Sequence, residues 1–210
     1  MSSDKSHVLF GYGSLINDES RARSFNSKKC YGANLLNHQR AWCVPVPDAE
    51  VTALGLLPHT GASCNGVLIE ISDSEIAQAD ARENPSGYER ISLPWENVMW
   101  EAGSNLAEAE AAEWRTLPLW IYCAAHNQPP SDDRPIIQSY VDVVLLGVLK
   151  RGIRFAENFV LSTQGWDAPW IDDRQAPRYV RALKSTAAFA DIDNLLMRLV
   201  PEAVAHRRRS

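Results

Sequence analysis

The apolar residues of this chain change their spacing once, and that change limits what it can fold into. Short apolar runs bounded by turn residues occupy 7–10, 41–46, 51–57, 66–71, 88–93, 95–100 and 117–124. Such runs predict β-strands, and their close succession predicts antiparallel neighbours. From Pro135 onward Ile137, Tyr140 or Val141, Val144 and Val148 recur at helical spacing, and Phe155, Phe159 and Val160 follow the same rule. A third helical stretch over 186–200 puts Ile192, Leu195, Leu196 and Leu199 on one side. The expected class is therefore α+β, a β-rich core over 7–125 followed by a helical extension over 135–200. There is no internal repeat or long linker, and 210 residues suit one or two units of about 150 residues, so a single domain over 1–210 is expected.

Local signals refine the pattern. Ser72, Asp73, Ser74 and Glu75 have the S-x-x-E form of a capping box, with Ile76 and Ala79 continuing at helical spacing, so a short helix is expected to carry Arg82 and Glu83 to its C-terminal end. Asn84, Pro85, Ser86 and Gly87 must end it. Residues 101–113, rich in Ala and Glu, predict an exposed insertion with one or two helical turns. Residues 165–177, with Trp166, Trp170 and two prolines, predict a structured loop.

Charge and cysteine usage narrow the class of function. Lys and Arg number 21 against 26 Asp and Glu, a net charge of −5, which disfavours broad attraction to polyphosphate. Arg207, Arg208 and Arg209 are expected to form a solvated tail, so neither nucleic acid nor membrane is an expected partner. Cys30, Cys43, Cys64 and Cys123 form no CxxC pair and are expected to be reduced structural thiols. No run reaches the roughly 18 to 20 apolar residues of a membrane span, and the first residues lack a signal-peptide layout, so a cytoplasmic location is expected.

Two places carry chemistry. Gly11-Tyr12-Gly13-Ser14-Leu15 follows the first strand, and two glycines there let backbone N–H groups converge on a carboxylate or oxyanion. It is neither a dinucleotide fingerprint, since Ile16 occupies the third glycine position, nor a nucleophile elbow. The second is Glu83, at the negative end of a helix dipole, with Arg82 and Arg90 near it in sequence to counter that field. Alone it reads as a surface or ion-pair residue, and its interest comes from the glycine turn. The five histidines show no metal-binding spacing, His38 reads as a satisfied polar residue, and Trp166 and Trp170 as core packing.

The order of these motifs resembles the gamma-glutamylcyclotransferase-like superfamily, including its ChaC-type branch. Phe10-Gly11-Tyr12-Gly13-Ser14-Leu15-Ile16 is similar to the family's substrate-binding loop. Arg82-Glu83, followed by Asn84 to Arg90 with Gly87-Tyr88, is similar to its helix-end catalytic Glu and strand start. The resemblance spans about residues 8–122 and includes Gly66-Val67 before the helix. It implies a small mixed α/β fold with a partly open β-barrel, and cyclisation of a small γ-glutamyl compound to 5-oxoproline with release of an amine. It implies Glu83 as general base and then acid, and the amides of Gly13, Ser14 and Leu15 as donors to the substrate. Tyr12 would shape the pocket, and Tyr88 and Tyr122 would wall it. No metal or organic cofactor is required by that scheme. Glutathione metabolism is the context the resemblance suggests, although Asn17 stands where ChaC-type proteins usually carry Trp, and residues 101–113 are an insertion. A γ-glutamyl-binding module without catalysis, or γ-glutamyl transfer to another acceptor, would keep the same pocket.

Overall fold

The structure, a computed structural model, describes residues 6–26, 29–83, 87–102 and 106–209. The first apolar run is strand β1 (Ser6–Gly11). After the short helix α1 (Asp18–Ala22) come two long strands, β2 (Cys30–Val46) and β3 (Val51–Ser72), which pair antiparallel along most of their length. The separate short strands expected over 30–71 are thus fused. Polar residues such as Asn34 and His38 read as interruptions in the sequence but sit in the ladder opposite Asn65 and Pro58. Irregularities at Leu36/His38 and Trp42/Val44 bend the pair without breaking it.

The capping box forms as its sequence dictates. The Glu75 amide donates to Ser72 Oγ at 3.3 Å, and Glu75 Oε2 accepts from the Ser72 amide at 2.9 Å. Helix α2 (Asp73–Glu83) follows and ends on the candidate carboxylate. Of the expected breaking turn, Asn84, Pro85 and Ser86 lie outside the described residues, while Gly87 has a φ of 84°, which favours glycine. Strand β4 (Tyr88–Ser92) comes next. Residues 95–97 form a 3₁₀ turn rather than strand, so β5 is only Val98–Trp100. The insertion contributes α3 (Glu108–Trp114), with residues 103–105 outside the description, and β6 is Leu119–Ala124.

The C-terminal part holds β7 (Ile136–Ile137), α4 (Gln138–Lys150), α5 (Ile153–Leu161), β8 (Thr163–Gln164), β9 (Trp170–Asp172), α6 (Phe189–Leu199), α7 (Pro201–His206) and β10 (Arg208–Arg209). Among the described residues the main sheet runs β4-β6-β1-β3-β2-β5, with β8 added beside β2. It is mixed, because β1 and β6 are parallel while β1 and β3 are antiparallel. The molecule has the expected mixed α/β architecture, and its sheet is not closed into a barrel. The expected 165–177 loop contains β9, which joins β7 and β10 in a small second sheet.

Two arginines show why the helices bind the sheet so closely. Arg40 on β2 is fully buried, and among the described residues no carboxylate pairs with it. It donates to Thr163 Oγ1 (2.7 Å), the Asn65 carbonyl, the Phe159 carbonyl (2.9 Å) and Ser162 Oγ (2.8 Å), and stacks 3.5 Å from the Phe159 ring centroid. Burial lowers its pKa to about 10, so it stays charged at neutral pH. Arg207, expected in a solvated tail, instead donates to Gln138 Oε1 (2.6 Å) and Asp193 Oδ1 (3.3 Å), and Arg208–Arg209 pair with β9. Partners distant in sequence decided this, which a basic end cannot reveal. Trp166 and Trp170 are core residues as expected, their rings 5.3 Å apart.

Candidate active site

β1 delivers the glycine loop to the centre of the sheet. Beyond Gly11 a 3₁₀ turn, Ser14–Ile16, is closed by the Ile16 and Asn17 amides donating to the Gly13 (3.0 Å) and Ser14 (3.1 Å) carbonyls. The amides of Ser14 and Leu15 stand at the first positions of that turn, where no intrahelical acceptor exists. Asn17 clamps the loop from behind. Its Oδ1 accepts from the Glu19 and Ser20 amides at 3.0 and 3.1 Å, capping α1, and its Nδ2 donates to the Val143 carbonyl of α4 at 3.0 Å. Gly147 makes this seating possible, since a Cβ there would lie 2.6 Å from the Asn17 nitrogen.

Glu83 ends α2 facing this loop. One carboxylate oxygen, Oε1, accepts from Arg82 Nε (2.9 Å) and Nη2 (2.6 Å). Arg82 Nη1 donates to Ser24 Oγ at 2.7 Å, so the guanidinium is itself anchored. Arg90, expected to act on Glu83, instead donates to Asp80 Oδ1 (2.9 Å) and lies 4.3 Å over Trp120, because β4 turns its side chain toward β6. Only Arg82 of the two neighbours meets the carboxylate.

Tyrosines form the rest of the wall. Tyr12 donates to the Tyr122 carbonyl (2.7 Å), Tyr88 to the Leu54 carbonyl (2.7 Å) and Tyr122 to Asp80 Oδ1 (2.8 Å). Burial, the largest cause at each, pushes the hydroxyls of Tyr12, Tyr88, Tyr122 and Tyr140 well above the usual phenol range. All four are therefore neutral donors at pH 7. Among the described residues Tyr140 alone of the four has no acceptor for its hydroxyl. A Cβ on Gly13 would lie 3.0 Å from that oxygen, so glycine lets the loop backbone approach it.

These groups enclose two adjoining cavities. An inner one of 80 Å³ is bounded by the loop, Tyr12, Tyr88, Tyr122, Tyr140 and Glu83. An outer one of 330 Å³ shares Ser14, Leu15, Glu83, Tyr88 and Tyr140 with it and is also lined by Arg178, Tyr179, Val180 and Arg181. The sequence candidates Tyr12, Gly13, Ser14, Leu15, Glu83, Tyr88 and Tyr122 thus converge on one place. Tyr140 was legible only as an alternative helix-face position, and 178–181 lie in a stretch without a motif. Among the described residues no three His, Cys, Asp or Glu side chains are grouped so as to hold a metal ion.

Such a site can hold a small ligand by its carboxylate and present one carboxylate to a proton. Solved structures share the architecture. A gamma-glutamyl cyclotransferase aligns over 90% of this chain and 99% of its own with a TM-score of 0.55 at 15% identity. An uncharacterized Homo sapiens protein aligns over 91% and 99% with a TM-score of 0.52 at 15% identity. YkqA from Bacillus subtilis aligns over 74% of this chain and 53% of its own with a TM-score of 0.51 at 16% identity. At these identities the likeness is one of fold. No curated protein sequence matches the chain. The family model described as gamma-glutamyl cyclotransferase, AIG2-like, matches residues 9–140, from the first strand through Glu83 to Tyr140, and with well over half of its length matched the chain belongs to that family.

Proposed function

We propose that the protein cyclises a γ-glutamyl compound to 5-oxoproline and releases an amine, with Glu83 as general base and then general acid. The observation that carries this reading is that Glu83 borders both cavities and faces the glycine loop. The glutamyl part fits the inner cavity, its carboxylate or developing oxyanion toward the Ser14 and Leu15 amides and the Tyr140 hydroxyl. The scissile amide then lies at the junction, beside Glu83. The α-amino nitrogen attacks the γ-carbonyl carbon and loses a proton to Glu83. The bond to the departing nitrogen breaks as that nitrogen takes the proton, so the carboxylate is regenerated and no water is consumed. Nucleophile and electrophile belong to one molecule, so holding it folded supplies much of the acceleration. Arg82, bound to Oε1, orients the carboxylate and leaves Oε2 toward the substrate.

Product identification over a panel of γ-glutamyl amino acids, peptides and amines tests the reading. Release of 5-oxoproline supports cyclisation. A new γ-glutamyl adduct would replace it with transfer, and bound but unchanged ligand would replace it with a binding module.

A further inference from the structure

The outer cavity carries more positive charge than its surroundings explain. In a chain of net charge −5 its lining residues include three arginines, Arg82, Arg178 and Arg181, against a single acidic residue, Glu83. Arg82 is matched by Glu83. The other two are held by neutral oxygens. Arg178 Nη2 donates to the carbonyls of Ala49 (2.7 Å) and Glu50 (2.9 Å), and the nearest carboxylate, that of the well-exposed Glu50, stands off at 4.0 Å. Arg181 bonds through Nη1 to the Ser20 carbonyl (3.1 Å) and Ser24 Oγ (2.9 Å), and among the described residues it has no carboxylate partner.

Ser24 ties two of these charges together, for its hydroxyl also accepts from Arg82 at 2.7 Å. Two guanidiniums sharing one neutral acceptor repel each other, and Glu83 offsets the charge of Arg82 alone, so a further anion beside Arg181 is favoured. The segment that carries Arg178 and Arg181 is itself built into the fold. The buried Asp173 accepts from the Arg178 amide (2.8 Å), the Ser139 amide (2.7 Å) and Ser139 Oγ (2.6 Å), and the Tyr179 ring packs 4.9 Å from Tyr140. The segment thus sets both residues on the cavity wall, beyond the stretch 9–140 that the family model matches.

We propose that Arg178 and Arg181 select a leaving group that carries a carboxylate, so that the amine released is an amino acid or peptide rather than a simple amine. The inference rests on the cyclisation reading, because Glu83 at the junction makes the outer cavity the leaving-group side. It assigns to the C-terminal segment the choice of substrate within one reaction.

Three probes test it: γ-glutamylalanine, its C-terminal carboxamide, and γ-glutamylethylamine. For each, 5-oxoproline release gives kcat/KM and calorimetry on Glu83→Gln protein gives affinity. The native chain is expected to favour the carboxylate probe over the carboxamide by about tenfold or more in both, as loss of a charge-assisted contact predicts. In Arg178→Gln/Arg181→Gln protein the ratio should fall toward one, while Arg181→Lys keeps part of it. The double substitution spares the backbone anchor to Asp173, and a melting curve checks that it folds. Equal treatment of the probes by the native chain, or a ratio that survives the double substitution, would overturn the inference. If no probe yields 5-oxoproline, the cyclisation reading fails, and the affinity ratio still decides whether these arginines recognise a carboxylate.

Discussion

Gly13 and Tyr140 illustrate how single atoms govern this site. Any side chain at Gly13 would begin 3.0 Å from the Tyr140 hydroxyl, so Gly13→Val is expected to weaken substrate binding by about tenfold or more, ~1.4 kcal/mol. Unchanged affinity in titration calorimetry would contradict the assigned role of the loop. Tyr140→Phe keeps the ring contacts with Trp42 (5.7 Å) and Tyr179 (4.9 Å) while deleting one donor. Its kcat should fall about 10²-fold, the effect of losing an oxyanion donor, at a melting temperature close to the native one. A native rate in that variant would remove Tyr140 from the proposed mechanism. Gly13 and Glu83 were legible in the sequence because a backbone approach and a helix end are local events. Tyr140 and Arg181 were not, since they reach the site by packing of α4 onto the glycine loop and of residues 174–181 onto residues 20–24 and 49–50, all distant in sequence.

Elements behave in the same way. Helix α2 was legible because the capping box of Ser72 and Glu75 is a bond pair between residues three apart. The full length of β2 and β3 was hidden, because Asn34, His38 and Arg40 look like breaks until the opposite strand and α5 face them. Asp173 is the fixed point of the segment that lines the outer cavity. It caps the start of α4 through Ser139 and holds the Arg178 amide. Asp173→Ala strands three donors and should cost about 2–4 kcal/mol of stability, as loss of charged buried hydrogen bonds does. The variant should also gain protease cleavage within residues 174–184. A urea midpoint and cleavage pattern like those of the native chain would show that other contacts hold the segment.

Over the whole molecule, one apolar cluster runs from Val8 and Leu68 of the sheet through Phe159 to Leu195 and Ala203 of the C-terminal helices. We propose that 1–210 unfolds as a single unit, so tryptophan fluorescence and circular dichroism should give one coincident urea transition. Its midpoint should depend on alkaline pH. Burial pushes the Cys43 thiol up to about 11 and the Cys123 thiol up to about 12, and raises the hydroxyls of Tyr12 and Tyr88 as well. The folded chain holds these protons more tightly than the unfolded one, whose thiols titrate near about 8.5. Their stabilisation is therefore complete below about pH 8.5 and is lost as pH climbs toward the folded values. A midpoint equal at about pH 7.5 and about pH 10.5 would contradict the burial of these groups. The central claim concerns what this assembled molecule does with a γ-glutamyl substrate. Mixing the purified chain with the γ-glutamyl panel and following 5-oxoproline by NMR, beside Glu83→Gln, tests it most directly. The native protein should release one 5-oxoproline per amine, and the folded variant should bind substrate yet turn over about 10²–10⁴-fold more slowly. No 5-oxoproline from the native chain, or a native rate from Glu83→Gln, would contradict the account.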